Sequence, residues 1–296
     1  MITKENTASV TVGMQQSLDV AVKGEPTFNL PVLVNPEEAS EIIAENMEGM
    51  GDFRFDKIKM PAGGGITFEI IDEKGEPDAV KELRGVLLDK FPFKAWYEKS
   101  FDEKDKDDED AGIPNCFSSN NTHGSGFVDE TGNVVIPEGQ LCTECRFGQW
   151  GSSRKGGRGK DCSDKIRVHI LMEGEAFPKF IDAPPTSLAN FKKYVKLLSN
   201  KAKSFYGVVT TLKLEKDKSD GGIEYSKVLF TRAADLTRDE RLTIKDMIQT
   251  LLPSMRRITR DSIADQAVVM NDDEVIDIAG GSVDGADGAA ADAEPF

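Results

Sequence analysis

The sequence predicts an α+β fold of mainly antiparallel strands, flanked by helices and interrupted by one long insertion. Three observations carry this. Runs of alternating apolar residues with glycine-rich corners recur on both sides of the middle of the chain. Two segments, near 186–203 and 237–255, repeat apolar residues at helical spacing. Between the strand-rich parts, residues 102–164 lack periodicity yet hold all four cysteines, and a packed domain rarely keeps so long a loop unless something pins it. Short twisted strands with glycine corners suit closure into a small barrel.

In chain order, residues 1–30 alternate weakly, as strands or a partly mobile arm. "NPEEASEIIAENMEGMG" reads as a helix, with Asn35 as N-cap, Pro36 at the first position and acids in the first turn. "FRFDKIKM" alternates Phe53, Phe55 and Ile58 as a strand, "PAGGG" turns, and "ITFEII" is the next strand. "ELRGVLLDKFPFKAWY" is a further strand region, broken by Pro92. After the insertion "KIRVHILM" restarts the strand pattern. Ser187 or Thr186 caps a helix whose Leu188, Phe191, Val195 and Leu198 share a face. A hairpin follows, turning at Ser219 to Gly222. Thr237 and Glu240 form a capping box before a last helix with Ile244, Ile248, Leu251 and Met255 in register. The domain thus runs over 1–260, with 102–164 inserted. Residues 261–296 are too poor in large side chains to fold alone and read as a disordered acidic tail.

The formal charge of -15 over 296 residues is unevenly placed. From Asp261 onward there are ten acids and no Lys or Arg, and the preceding 260 residues hold 37 basic residues against 42 acids, a net of -5. The run Asp102 to Asp110 alone carries -5, whereas Arg146 to Arg167 carries a local +5 and Lys192 to Lys203 holds five lysines and no acid. A two-signed molecule of this kind has a basic working region and an acidic end. No apolar run approaches the ~18 residues of a membrane helix, so no membrane is expected. The first residues lack a basic stretch followed by an apolar one, which points to the cytoplasm.

In a reducing compartment four cysteines favour a metal site or free thiols over disulfides. Cys142 and Cys145 form a C-x-x-C knuckle, with Cys116 upstream and Cys162 downstream, all within 47 residues. Four soft thiolates suit tetrahedral Zn²⁺ in a structural role. The alternatives are an iron–sulfur cluster, a redox pair or buried thiols. His123 is a substitute ligand or a solvated loop residue, and His169, in an apolar strand, reads as packing.

Between these cysteines lie Arg146, Phe147, Trp150, Arg154, Lys155, Arg158 and Lys160 among glycines. Cations pair with phosphates, rings offer a face to an unstacked base, and glycine admits close backbone approach; together this is the chemistry of single-stranded nucleic-acid binding. "FPFKAWYEK" repeats the mixture, with Lys94 beside Trp96 and Tyr97, which are either stacking platforms or core. Lys192 and Lys193 add charge from the helix. "GSSRKGGRGK" fails the phosphate-loop pattern, since Lys160 is followed by Asp161. With two histidines and no nucleophile motif, no catalytic constellation is visible and no enzyme is expected.

The tail closes in Asp292, Glu294, Pro295 and Phe296. This ending resembles the single-stranded DNA-binding proteins of bacteria and their phages, which pair an OB-fold core with an acidic tail closing in an aromatic residue. The resemblance implies an OB-like core, single-stranded DNA as ligand, and a tail that recruits replication or recombination proteins. Gly85 to Cys162 further resembles a group of poorly characterised phage proteins, which implies phage origin, and hence an infected bacterial cell, together with a zinc-pinned module. Bacterial members are shorter and lack the cysteine insertion, so their assembly and DNA path do not carry over. The expectation is sequence-nonspecific single-stranded DNA binding in phage replication or recombination. The alternative is a zinc-containing, non-enzymatic interaction protein aimed at a host or phage protein.

Overall fold

The computed structural model of the chain describes residues 28, 36–49, 53–61, 63–72, 74–99, 113–154, 158–219, 222, 224–259 and 261–263. Asn35, the acidic run 102–110, Lys155 and the tail-end residues Asp292, Glu294, Pro295 and Phe296 lie outside them, as does the N-terminal arm apart from Phe28.

The fold is α+β with mainly antiparallel sheets. Among the described residues the elements are α1 (Pro36–Asn46), β1 (Phe68–Ile71), β2 (Pro77–Val80), β3 (Glu82–Trp96), β4 (Cys116–Ser118), β5 (Phe127–Val128), β6 (Val134–Ile136), β7 (Ser163–Met172), β8 (Lys179–Ala183), α2 (Pro185–Ser199), β9 (Val208–Lys218), β10 (Glu224–Asp235) and α3 (Arg238–Met255). The main sheet runs β10-β9-β3-β7-β8, with β4 added to β3; β1–β2 and β5–β6 are separate hairpins.

β3 is the spine. Its first residues pair with β9, its last with β4, and β7 lies along the other edge. Pro92 does not break it, contrary to the sequence expectation. Between the β9 and β4 pairings, residues 87–93 have a neighbour strand only on the β7 side, and a half-open edge tolerates a missing N–H. At Gly85 a Cβ would lie 2.3 Å from the Leu171 carbonyl oxygen, so β3 fits against β7 there only as glycine.

Each face of the sheet is covered. On one, Leu83, Leu87, Val168, Ile170, Leu212 and Val228 pack against Phe191, Tyr194 and Leu198 of α2 and Phe68 of β1. On the other, Val86, Leu88, Leu171 and Val209 meet Ile244, Met247, Leu251 and Met255 of α3. Each such side chain contributes roughly 1.5–3 kcal/mol by burial. This arrangement corrects the barrel expectation. The sheet is not closed among the described residues, because helices bury both faces and leave no apolar interior that closure must hide.

The last helix follows its sequence signals: Thr237 Oγ1 accepts from the Glu240 N–H (3.3 Å), and Glu240 Oε2 from the Thr237 N–H (2.6 Å). α2 departs from them, since it starts at Pro185 without a side-chain cap. Proline has no N–H needing a cap there. The Ser187 hydroxyl instead accepts from the Val228 N–H (2.8 Å), tying the helix to β10. The hairpin turn is as expected, with the Gly222 N–H donating to the Ser219 carbonyl (2.8 Å) at φ 80°.

Candidate metal and nucleic-acid site

The insertion leaves and re-enters the sheet at one place. Trp96 at the end of β3 is in register with Cys116 on β4, and Ala95 with Ser163 on β7. Cys116 and Cys162 therefore flank the same end of β3, fixed by strand pairing. The knuckle is brought to them by local hydrogen bonds. The Glu144 and Cys145 N–H groups both donate to the Leu141 carbonyl (3.0 Å each), the Cys142 N–H to Thr122 (2.8 Å) and the Cys162 N–H to Phe147 (2.8 Å). Gln149 Nε2 clamps the turn through the Thr143 (2.7 Å) and Cys145 (3.2 Å) carbonyls. Two glycines admit the close approach: a Cβ would meet the Cys142 carbonyl oxygen at 2.8 Å from Gly148 and Cys116 Sγ at 3.0 Å from Gly124.

All four cysteines line one hollow of about 20 Å³, with Trp96, Phe147 and Lys94 also in its wall. That is room for about one water-sized sphere. Burial pushes the Cys162 thiol up to about 12, opposed by Lys94 and reinforced by the other three cysteines. Burial also raises Cys116, against hydrogen bonds from Gly126 and Ser125, with Cys145 and Cys142 adding to the rise. The thiols are thus close enough to disfavour one another's charge, a conflict that a soft dication resolves. Among the described residues no three His, Cys, Asp or Glu side chains stand in ready metal-holding geometry. The fit of zinc rests on donor chemistry and the size of the hollow. His123 is exposed, its Nδ1 3.3 Å from Thr122 Oγ1, outside the wall of the hollow.

The expected nucleic-acid contacts separate into two groups. Trp96 is 3% exposed; its Nε1 donates to Asp161 (2.6 Å) and its ring lies 4.4 Å from Phe147 and 5.6 Å from Phe127. Tyr97 is buried with Phe93, Ala95 and Ile263. Neither can be a stacking platform as it stands, because these rings supply the core that the inserted module otherwise lacks. Lys94 is nearly buried against Asp164. Arg154 is held by Asp161 (2.9 Å) and the carbonyls of Glu98 and Tyr97 (the latter at 2.5 Å), fastening the loop to the end of β3. Phe147 is half-buried.

The second group faces outward. Trp150 is 77% exposed, with Lys160 Nζ 4.9 Å from its ring centre. Lys160 stands between the two groups: it is half-buried and pairs with Asp164 (2.9 Å), the carboxylate that also takes Lys94. Arg146 is exposed, its guanidinium 4.6 Å from the Phe147 ring centre, and Arg158 is exposed without an ion-pair partner among the described residues. Lys192 and Lys193 stand on the outer side of α2. Sequence reasoning took "FRFDKIKM" only as a strand. The structure adds that its cations share a cavity with Arg167 and Arg257. The signal was the alternation of rings and cations from Phe53 to Lys59.

No family model, no curated protein and no solved structure matches the chain. No helix among the described residues is long and apolar enough to cross a membrane.

Proposed function

We propose that the protein binds single-stranded DNA without sequence preference, acting in phage DNA replication or recombination in the cytoplasm of an infected bacterium and catalysing no reaction. One observation carries this reading: Trp150, the most exposed large apolar side chain among the described residues, stands on a loop with Lys160 against its ring and with Arg146 and Arg158 exposed and without an ion pair among the described residues. An exposed indole among cations is a sequence-tolerant platform for an unstacked base.

In the same proposal Cys116, Cys142, Cys145 and Cys162 hold a structural Zn²⁺ that fixes this loop, and the acidic tail recruits partner proteins through Asp292, Glu294, Pro295 and Phe296. The OB-like reading of the core belongs here too. It draws on segment 53–61, which pairs with Phe180 of β8 and Glu69 of β1, and on Ser226 of β10, whose hydroxyl donates to the Gly65 carbonyl (2.7 Å). Residues 57–69 thus touch β8 at one end of the strand order and β10 at the other.

The test is fluorescence anisotropy of labelled oligo-dT with the zinc-loaded full chain and with Trp150→Ala at two salt concentrations. Trp150→Ala is expected to lose ~1–3 kcal/mol of binding with an unchanged melting temperature. Affinity should fall with salt, at a log–log slope of about -0.7 per phosphate contacted. Absence of oligo-dT binding by the full chain sinks the reading and moves the assignment to a protein partner.

A further inference from the structure

Away from the cysteines, α1, α3, segment 53–59 and strands β7 and β8 enclose a cavity of about 480 Å³. That volume falls within the ~300–1,000 Å³ of small-ligand pockets. Its wall is both basic and aromatic. The cations are Arg54, Lys57, Lys59, Arg167 and Arg257, and among the described residues no carboxylate lines it. Two carboxylates behind the wall offset part of this charge. Asp182 takes Arg167 at 2.7 Å and Lys57 at 3.6 Å, and Glu69 takes Lys59 at 2.7 Å. Of the cations in the wall, Arg54 is exposed with no ion pair among the described residues.

The rings form the other half. Phe53 and Phe55 meet edge to face at 5.3 Å, and His169 lies 5.8 Å from both Phe55 and Phe180. His169 is 1% exposed, and its Nδ1 is buried without a hydrogen-bond partner among the described residues. A buried ring nitrogen left unpaired calls for an explanation, such as a functional role or a bound water or ion. Imidazole meets either a donor or an acceptor by choice of tautomer.

We propose that this cavity takes one nucleotide unit of a single strand, its phosphate on Arg54, Lys57 and Arg257 and its base against Phe53 and Phe55, on the side of the wall that His169 backs. Guanidinium groups match phosphate geometry, and flat apolar rings next to an unpaired polar nitrogen match a heteroaromatic base better than a carboxylate side chain. The inference rests on the single-strand reading above and gives it a second contact. Ser163, beside the fourth cysteine, and Arg167 are four residues apart in β7, ~14 Å at ~3.4 Å per residue. The start of β7, next to Cys162, is thus one short stretch of strand from the cavity wall.

The test combines ultraviolet crosslinking of oligo-dT to the zinc-loaded full chain, with peptide mapping, and anisotropy titration of Arg54→Glu. Arg54 is exposed, so its replacement leaves the melting temperature unchanged. The expected results are a crosslink within 53–59 and a loss of about tenfold or more in oligo-dT affinity for Arg54→Glu, restored largely by Arg54→Lys. Normal affinity in Arg54→Glu, with crosslinks only within 141–162, overturns the cavity assignment while the DNA-binding reading stands. Failure of the full chain to bind oligo-dT overturns both. Thymidine 5′-monophosphate binding as tightly as the oligonucleotide overturns it in favour of a free-nucleotide site. Protection of 53–59 by a peptide of the last twelve residues, without any by oligo-dT, overturns it in favour of an acidic peptide.

Discussion

Trp96 and Trp150 have the same side chain and opposite roles, decided by what surrounds each. Trp96 anchors the insertion, with Cys116 and Ile136 packed on it, so Trp96→Ala is expected to destabilise the module by ~3–5 kcal/mol, read as a lowered melting transition. Trp150→Ala leaves that transition unchanged and acts on binding alone. His169 gives a second residue-scale expectation. Burial holds it at about 4, against an ordinary 6.5, with Arg167 adding to the fall and Asp89 and Asp182 opposing it. The folded chain keeps this imidazole neutral while the unfolded chain takes up a proton from about pH 6.5 downward. Stability is then flat above pH 7 for this group and falls between about 6.5 and 4, by up to roughly 3 kcal/mol. Urea unfolding at pH 7, 5.5 and 4.5 measures it, and His169→Phe should flatten that part of the profile.

At the scale of elements, the described residues of the insertion have little regular structure to hold them: a three-residue strand, a two-rung hairpin and one 3-10 turn at Arg146–Gly148. Its order depends on Trp96, on Arg154 and, in the proposal, on the ion. Chelation of the zinc-loaded protein should therefore raise amide exchange across 113–162 by at least tenfold while β9, β10 and α3 stay protected. Equal exchange with and without chelator would show that the thiols hold no metal. The cysteine spacing made a pinned loop legible in advance. The separation of Lys94 and Arg154 from the outward cations was not legible, because both lie in the same basic–aromatic composition as Trp150 and Arg158. Only their positions relative to Asp164, Asp161 and the end of β3 distinguish them.

For the whole molecule, the body does not stop at residue 260. Asp261–Ile263 form a 3-10 turn, Ile263 is fully buried against Phe93, Ala95 and Tyr97, and Arg167 Nη2 donates to the Ser262 carbonyl (2.6 Å) while paired to Asp182. That guanidinium joins β7, β8 and the end of the body. Arg167→Ala leaves Asp182 without its bidentate partner in the core and should lower stability by ~3–5 kcal/mol in denaturant unfolding. Truncations meant to test the acidic tail should begin beyond Ile263, since a chain ending at Arg260 loses core as well as charge.

By itself the sequence determined what local chemistry dictates: the capping box at Thr237, the hairpin turn at Gly222, the strand over 165–172, the clustering of four thiols and the two-signed charge. Each depends on residues close in the chain. Tertiary structure alone decided that the sheet is not closed among the described residues, that β3 passes through Pro92, that Trp96 is core, and that Phe53 to Lys59 shares a cavity with Arg167 and Arg257. Those outcomes depend on which faces and edges meet across the fold, and burial belongs to the assembled neighbourhood of a side chain rather than to its place in the sequence.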